Sequence, residues 1–235
     1  MSRFFNHAFP ISGGLRKPNL VPYDKFQPAY LAKAVEFLSV LLKVNPRRVK
    51  YGDEKLLKGA ELFCRKTRRN VLTGEVPAVN TDSDFRNTYP VIGFCGIDPR
   101  TRPLHWRIHT NPNNAEEFAE EIEFAIASRF LFGGDILVLD NATMHNGAEN
   151  RYLEDWMWQR FGIYILFLPA RSPKWNPQEL VWQRLVQALK TYPLGKHRQY
   201  STHAVAYAAH DVLLKMTRAN IESMYRHCDV RARDN

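Results

Sequence analysis

The chain has few cysteines, and their spacing argues against two kinds of structural cross-link. Only 3 of its 235 residues are cysteine, namely Cys64, Cys95 and Cys228, and no two of them form a Cys-x-x-Cys pair. Disulfide frameworks and structural zinc sites use more numerous or more closely spaced cysteines. We therefore expect an intracellular protein with neither kind of cross-link.

Long hydrophobic runs and glycine-rich phosphate loops are also lacking. No apolar stretch approaches the roughly 20 residues that a membrane-spanning helix needs, and the first residues, MSRFFNHAFPISGG, are too polar for a signal peptide. We therefore expect no membrane partner. Because no glycine-rich loop of the kind that cradles phosphates is present, we also expect no nucleotide cofactor.

Acidic residues are in the minority, and the balance suggests a polyanionic partner. The 24 Asp and Glu residues face 33 Lys and Arg residues, for a formal net charge of +9. A basic surface binds nucleic acid because neutralised phosphates release their counterions. A basic protein with no such partner has the same composition, so charge alone leaves both interpretations open.

The order of predicted elements indicates an α/β fold. A helix over residues 28–44 is followed by a strand in RRVKYGDEKLL, a hairpin formed by TYPVIGFCGI and LHWRIH, and a helix in NNAEEFAEEIEFAIASRF. Then come the strand DILVLD, the helix RYLEDWMWQRFG, the strand IYILFLP, the helix in SPKWNPQELVWQRLVQALK and a helical region over 201–228. Alternating strands and helices require parallel pairing with right-handed crossovers. We expect a ribonuclease H-like fold, with a mixed five-stranded sheet, helices on both faces and additional C-terminal helices.

Asp140 and Asp53 are candidate functional acids, each with an ordinary alternative. Asp140 ends the buried strand DILVLD, and functional groups gather at the carboxyl ends of strands in open α/β sheets; a turn residue is the alternative. Asp53 alternates with Val49 and Tyr51 on one face of a strand, where a carboxylate is costly to bury without a partner such as a metal. The alternative is an exposed edge strand carrying a solvated charge run.

Glu179 is the third candidate, and its position also has a purely structural explanation. Asn176 as N-cap, Pro177 in the first helical position and Glu179 in the third form a helix-capping arrangement that needs no function. Trp182 follows three residues later on the face that the helix buries. The sequence around Glu179 alone therefore does not distinguish a capping residue from a functional one.

The three acids together suggest a metal site. They lie on the first strand, at the end of the fourth and at the start of the following helix, so we expect them to meet at one edge of the sheet. Two Mg²⁺ ions about 4 Å apart, or Mn²⁺ as a substitute, need such hard oxygen ligands and activate an oxygen nucleophile for attack on a phosphodiester.

Two sequence blocks resemble the signature motifs of mariner-type transposases, members of the Asp-Asp-Glu superfamily. The block LVLDNATMHNG contains Asp140, Asn141 and His145, and LPARSPKWNPQELVWQRLVQ contains Asn176 and Glu179. The first family block is matched more loosely, by Asp53 and Glu54 in KYGDEK. The resemblance covers about residues 49–190, and the 38 residues between Asp140 and Glu179 are somewhat more than is usual in the family.

The resemblance implies a DNA endonuclease and strand transferase. Asp53, Asp140 and Glu179 would be both the catalytic and the metal-binding residues, supported by Asn141, His145 and Asn176. The expected partner is double-stranded DNA carrying the terminal inverted repeats of a transposon. A homodimer and a nuclear location are further expectations.

Comparison with the family motifs also suggests a domain organisation. Residues 1–45 would be an N-terminal linker and helix, the remnant of a helix-turn-helix DNA-binding region, since relatives carry about a hundred residues there. Residues 46–192 would be the catalytic domain and 193–235 a C-terminal helical extension. A basic insertion over 59–87 stands where many relatives have a short link. The residues expected to contact DNA phosphates are Lys58, Arg65, Lys66, Arg68, Arg69, Arg171 and Lys174, although a solvated basic loop explains the insertion nearly as well.

A non-catalytic protein is the rival hypothesis. A truncated or domesticated copy that binds nucleic acid but no longer cuts it would keep the same fold. The presence of all three acids and of the Asn-Pro-Gln-Glu block argues against loss of the site. A structure-specific nuclease of the same fold is a third interpretation, and it differs from the first only in its substrate.

Overall fold

The computed structural model describes residues 27–59, 72–73, 87–110, 115–140, 147–170, 172–192 and 203–228. The helices are α1 (Pro28–Leu41), α2 (Ala115–Ala127), α3 (Gly147–Phe161), α4 (Pro177–Lys190), α5 (Ala204–Leu214) and α6 (Arg218–His227), and the strands are β1 (Val49–Lys58), β2 (Thr88–Gly96), β3 (Leu104–Ile108), β4 (Ile136–Leu139) and β5 (Tyr164–Phe167). Two short 3₁₀ turns, Pro46–Arg48 and Pro173–Trp175, precede β1 and α4. Within these ranges no helix combines the length and the apolar character needed to cross a membrane.

The five strands form one mixed sheet in the order β3-β2-β1-β4-β5. Strands β1, β2 and β3 pair in antiparallel fashion, whereas β4 runs parallel to β1 and β5 runs parallel to β4. The predicted hairpin and the predicted parallel pairing are therefore both present. Strand β1 lies at the centre, next to β4, so the carboxyl ends of these two strands point to the same edge.

Helices cover both faces of the sheet and enclose two hydrophobic cores. Helices α4, α5 and α6 pack on one face, where Trp182, Ala209 and Tyr225 are buried in the larger core. Helices α2 and α3 pack on the other face, where Phe118 and Met157 are buried. The two-sided arrangement and the C-terminal helices agree with the fold expected from the sequence.

Helix α1 forms as predicted, but its most regular apolar stripe does not face the core. Leu31, Val35 and Leu42 are 49%, 67% and 67% exposed, whereas Phe37 is only 2% exposed. The Phe37 ring stacks on Trp175, with ring centroids 5.8 Å apart. The aromatic contact, rather than the spacing of the leucines, determines which face of the helix is buried.

An ionic cluster lies at the edge of the sheet where β1 and β4 begin, opposite the edge that carries the three acids. The buried Lys50 ammonium of β1 lies 3.7 Å from Asp98 and 4.0 Å from Asp135, and the Arg48 guanidinium lies 3.1 Å from Asp135. Burial lowers the pKa of Lys50, while the two carboxylates oppose that shift. Because Asp135 directly precedes β4, the cluster links the amino ends of β1 and β4 and supports their register.

Tyr225 fastens helix α6 to the two central strands, and its removal provides a first prediction. The buried hydroxyl lies 2.9 Å from the Val49 carbonyl oxygen and 3.0 Å from that of Cys95, and it is the donor in this bifurcated contact. We expect Tyr225→Phe to lower the free energy of unfolding by about 1–3 kcal/mol, because buried carbonyl groups lose their donor. Urea denaturation measures the change. Tyr152→Phe, at a tyrosine that is 74% exposed, is the matched control and should stay within about 0.5 kcal/mol of wild type.

Candidate active site

Two of the predicted acids lie side by side at the carboxyl edge of the sheet. The parallel register pairs Gly52 of β1 with Leu139 of β4. Asp53 in β1 and Asp140 directly after β4 each come one residue later. Asp53 is 8% exposed and Asp140 is half-buried. Asp140 is therefore adjacent to a second acid on the neighbouring strand. A simple turn residue would not need such a neighbour.

The third acid comes from the first turn of α4. The Asn176 side-chain oxygen accepts a hydrogen bond from the Gln178 backbone N–H at 3.1 Å, and Pro177 occupies the first helical turn. The predicted cap is thus confirmed, and it fixes where the helix begins. The same first turn contains Glu179, whose negative charge acts on Asp53. Glu179 can therefore belong both to the capped first turn of the helix and to the group of three acids.

The Asp53 carboxylate is held by two hydrogen bonds. Its Oδ1 accepts from the Glu54 backbone N–H at 2.8 Å, and its Oδ2 accepts from Trp182 Nε1–H at 3.1 Å. Trp182 lies on α4, one turn beyond Glu179, and is 2% exposed. The indole thus connects the helix that carries the third acid to the strand that carries the first.

The electrostatic environment of Asp53 shows that the three acids influence one another. Burial, together with the negative charges of Glu179 and Asp140, raises the pKa of Asp53 to about 7. The hydrogen bonds from Glu54 and Trp182 act in the opposite direction. A buried carboxylate close to two others is a site where a cation would lower the free energy by compensating negative charge.

The chemistry of these residues fits a divalent metal ion. All three acids offer hard oxygen donors, and the raised pKa of Asp53 reflects its burial and, after that, the repulsion from the other two acids, both of which a cation would offset. In the parts of the chain that the structure describes, no three His, Cys, Asp or Glu side chains already form a metal-ligating group. Mg²⁺ does not need one, since it is commonly bound by one or two carboxylates together with waters and substrate phosphates.

Gly93 is a further residue of the site, and the sequence analysis missed it. It lies opposite Asp53 in the register between β1 and β2. A Cβ atom at this position would be 2.5 Å from Trp182 Cη2 and 2.9 Å from Gln178 Nε2, closer than side chains approach. The absence of a side chain at Gly93 therefore lets α4 pack against the sheet closely enough for Trp182 to reach Asp53. Gln178 is 1% exposed, and its Oε1 has no hydrogen-bond partner among the residues that the structure describes.

The other predicted site residues fall into three groups. Lys174 is exposed, and its ammonium lies 4.8 Å from the centroid of the Trp175 ring, near Glu179. Lys58 is exposed at the far end of β1, about 17 Å along the strand from Asp53 at 3.3 Å per residue, so the structure does not bring it to the three acids. The predicted residues Asn141, His145, Arg65, Lys66, Arg68, Arg69 and Arg171 lie outside the described residues.

A protein-family model matches more than half of this sequence. The model of the DDE superfamily endonucleases matches residues 72–199, which is more than half of the chain and includes Asp140 and Glu179. No curated protein matches the sequence significantly.

Solved structures of Mos1 resemble this fold. The Mos1 mariner paired-end complex with Mn aligns with a TM-score of 0.63 and 12% identity over 97% of this chain and 67% of that chain. The Mos1 strand transfer complex aligns with a TM-score of 0.61 and 13% identity over 97% of this chain and 66% of that one. The Mos1 transposase catalytic domain with Raltegravir and Mn gives a TM-score of 0.56 and 11% identity over 90% and 94%. This chain thus spans about two thirds of the Mos1 chains in the two complexes. Such low identities support the ribonuclease H-like fold and nothing finer.

Proposed function

The chain belongs to the DDE superfamily endonucleases, and from this membership we propose that it is the catalytic domain of a mariner-type transposase. In this proposal it cuts phosphodiester bonds at the ends of a transposon and joins the freed ends to other DNA. The observation that carries the proposal is the buried Asp53 carboxylate, whose pKa is raised by burial and by Glu179 and Asp140. Repelling acids at the carboxyl edge of a sheet suit metal-assisted chemistry on phosphates.

Each acid has a distinct task in the proposed reaction. Asp53 has its orientation set by Trp182 and by the Glu54 backbone, so its carboxylate is a fixed ligand. Asp140 is half-buried beside Asp53, and Glu179 would complete the group from the helix. A pair of Mg²⁺ ions, or Mn²⁺ in their place, would supply Lewis acidity and charge neutralisation at the phosphodiester.

The bond changes follow from hydrolysis and transesterification. Water first attacks phosphorus, its oxygen forms the new P–O bond, and the bond to the 3′ oxygen breaks, leaving a protonated 3′-hydroxyl and a 5′-phosphate. In joining, that 3′-hydroxyl oxygen attacks a phosphorus in a second DNA molecule, and another 3′-hydroxyl leaves with the proton. The protein's part is to hold the reacting groups in line, which accounts for the rigid setting of Asp53.

The proposed substrate is double-stranded DNA with terminal inverted repeats, bound by a homodimer in the nucleus. The net charge of +9 supplies the attraction to phosphates, with Lys174, Lys58, Arg171 and the basic residues of 59–87 as the proposed contacts. The solved structures that resemble this fold include a Mos1 mariner paired-end complex, which supports an assembly on paired transposon ends as the one to test here. Asn141, His145 and Asn176 are proposed to support the acids.

Removal of metal provides the second prediction and tests the function. The purified protein should nick a supercoiled plasmid that carries the matching terminal inverted repeats in the presence of Mg²⁺ or Mn²⁺, and an excess of EDTA should abolish nicking, because without the cations the acids cannot bring a phosphate close. Re-addition of Mn²⁺ should restore it. Agarose gels measure the conversion to open circles. Salt-dependent DNA binding with no cutting under any metal condition would contradict the proposal and favour the catalytically silent, nucleic-acid-binding remnant.

A further inference from the structure

A groove of about 620 Å³ begins at Glu179 and leads away from the three acids. Its sides come from three parts of the chain: the turn Pro173–Trp175, the outer surface of α4 at Gln183, and the end of α6 at His227. The cleavage chemistry proposed above uses Glu179 but none of the others. An occupant of the groove would touch the reacting centre at Glu179 and extend beyond it.

The lining of the groove combines cationic, aromatic and amide groups. The Lys174 ammonium lies 4.8 Å from the centroid of the Trp175 ring, and Gln183 and His227 are exposed. The Trp175 ring is held in place by its stacking on Phe37, at an interplanar angle of 17°. A fixed aromatic ring beside a cation is the combination with which proteins bind unpaired nucleotides, the base against the ring and the phosphate against the charge.

We propose that this groove binds single-stranded nucleotides of the DNA strand that adjoins the bond to be cut. The inference rests on the proposed function, since it takes the reacting phosphate to lie at Glu179. Clefts of roughly 300–1,000 Å³ accommodate small ligands, so the groove has the volume to enclose one or two unpaired nucleotides. On this proposal the strand separates from its complement before it enters.

The groove also gives helix α6 a place in the substrate site. Lys174 is positioned to contact a phosphate, and the half-buried Trp175 ring, with Phe37 stacked on it and the Lys174 ammonium over it, offers an edge to a base. Gln183 and His227 supply polar contacts from the other two sides. His227 belongs to the C-terminal helical region, which the sequence analysis treated as an extension of the catalytic domain. On this proposal the extension is part of the DNA-binding surface.

Binding without chemistry tests the inference. Fluorescence anisotropy in EDTA would compare a labelled blunt duplex with the same duplex carrying a four-thymidine 3′ tail. Lys174→Gln and His227→Gln should each weaken binding of the tailed duplex about 3- to 10-fold and change binding of the blunt one less than twofold. Lys174→Gln should also reduce the salt dependence of tailed-duplex binding by about 0.7 in the log–log slope, the value for one single-strand phosphate contact.

The matched control is Arg160→Gln. Arg160 is an exposed cation at the end of α3, at the opposite edge of the sheet, so its loss should affect neither substrate. Thermal melting of each variant shows whether it is folded. Equal losses for tailed and blunt duplexes would overturn the inference, because they would indicate duplex binding at the groove. Unchanged tail binding in folded variants would also overturn it.

The outcome separates this inference from the proposed function. Unchanged tail binding in a protein that nicks plasmid with Mn²⁺ would remove the groove proposal and leave the cleavage proposal standing. If the protein cuts DNA under no metal condition while its variants lose tail binding, the cleavage proposal fails and the groove proposal stands.

Discussion

Replacing Asp53 with asparagine is expected to abolish metal-dependent cleavage and to stabilise the metal-free protein. The carboxylate is a proposed metal ligand, and metal ions contribute several kcal/mol of transition-state stabilisation. At 1.36 kcal/mol per tenfold in rate, its loss should reduce cleavage at least about a thousandfold. An ordinary buried residue would lose activity only by losing stability, so the opposite directions of the two effects identify a functional carboxylate.

The stabilisation follows from the raised pKa of Asp53, which burial and the neighbouring acids move to about 7 from the 3.8 of an unperturbed aspartate. Below about pH 3 the carboxyl is protonated in both the folded and the unfolded chain, and it imposes no penalty. As the pH rises towards 7 the unfolded chain ionises first, and the wild type loses stability that the asparagine variant keeps. At pH 8 the difference should be about 2–4 kcal/mol, from 1.36 kcal/mol per pKa unit less a lost hydrogen bond.

Thermal melting in EDTA at pH 5 and pH 8 measures the stability difference, and plasmid nicking measures activity. The difference between Asp53→Asn and wild type should grow with pH, and millimolar Mg²⁺ should raise the melting temperature of the wild type more than that of the variant. Asp155→Asn changes an exposed carboxylate of α3 and serves as the control for both measurements. A variant that is less stable than wild type at pH 8, or one that still cuts DNA, would contradict the assignment of Asp53.

Adding one methyl group at Gly93 is expected to have the second-largest effect. A Cβ there would lie 2.5 Å from Trp182 Cη2, and an indole buried in the core has little room to move. Gly93→Ala should therefore push α4 outward, break the hydrogen bond from Trp182 to Asp53, and shift Glu179. Overpacking of this kind costs about 1–3 kcal/mol of stability, and displacement of about 1 Å at a reacting group can cost a hundredfold in rate.

A comparison with Gly96→Ala separates the loss of stability from the loss of activity. Gly96 is in the same strand, but its added Cβ would meet the Lys50 side chain, with 2.5 Å to Cδ, at the far edge from the three acids. Both variants should lower the melting temperature, and only Gly93→Ala should lower nicking at a temperature where both remain folded. Trp182→Phe removes the donor without adding bulk, so it should reproduce part of the activity loss. Full activity in folded Gly93→Ala would show that the Trp182 contact is dispensable.

The sequence predicts the frame of the site because that frame depends on local patterns. A buried run ending in Asp140, alternation that places Asp53 on an inner face, and the cap before Glu179 are each readable within about ten residues. The parallel pairing that aligns the first two acids follows from the alternation of strands and helices. All five strands and the main helices were therefore predictable, and so was the grouping of Asp53 and Asp140 at one edge.

The contacts that orient the site could not be predicted in the same way. The approach of Trp182 to Asp53 depends on Gly93, which is 40 residues from one and 89 from the other, and on a strand register that no local pattern specifies. Gly93 in TYPVIGFCGI looks like any small residue in a strand. Helix α1 illustrates a related difficulty: its leucines share a spacing, but Phe37 finds an aromatic partner 138 residues away. Periodicity indicates that a helix has an apolar and a polar face, but it does not indicate which element packs against the apolar face.

The position of helix α1 affects where a shortened protein could sensibly begin. Its Tyr30 hydroxyl is hydrogen-bonded to Ser172, and Phe37 is stacked on Trp175. The helix therefore contacts and stabilises the turn that precedes α4. A fragment starting at residue 46 would retain every strand and all three acids, yet the turn ahead of Glu179 would lose its lateral support. For crystallisation or enzymology, a first residue ahead of Pro28 is the better choice.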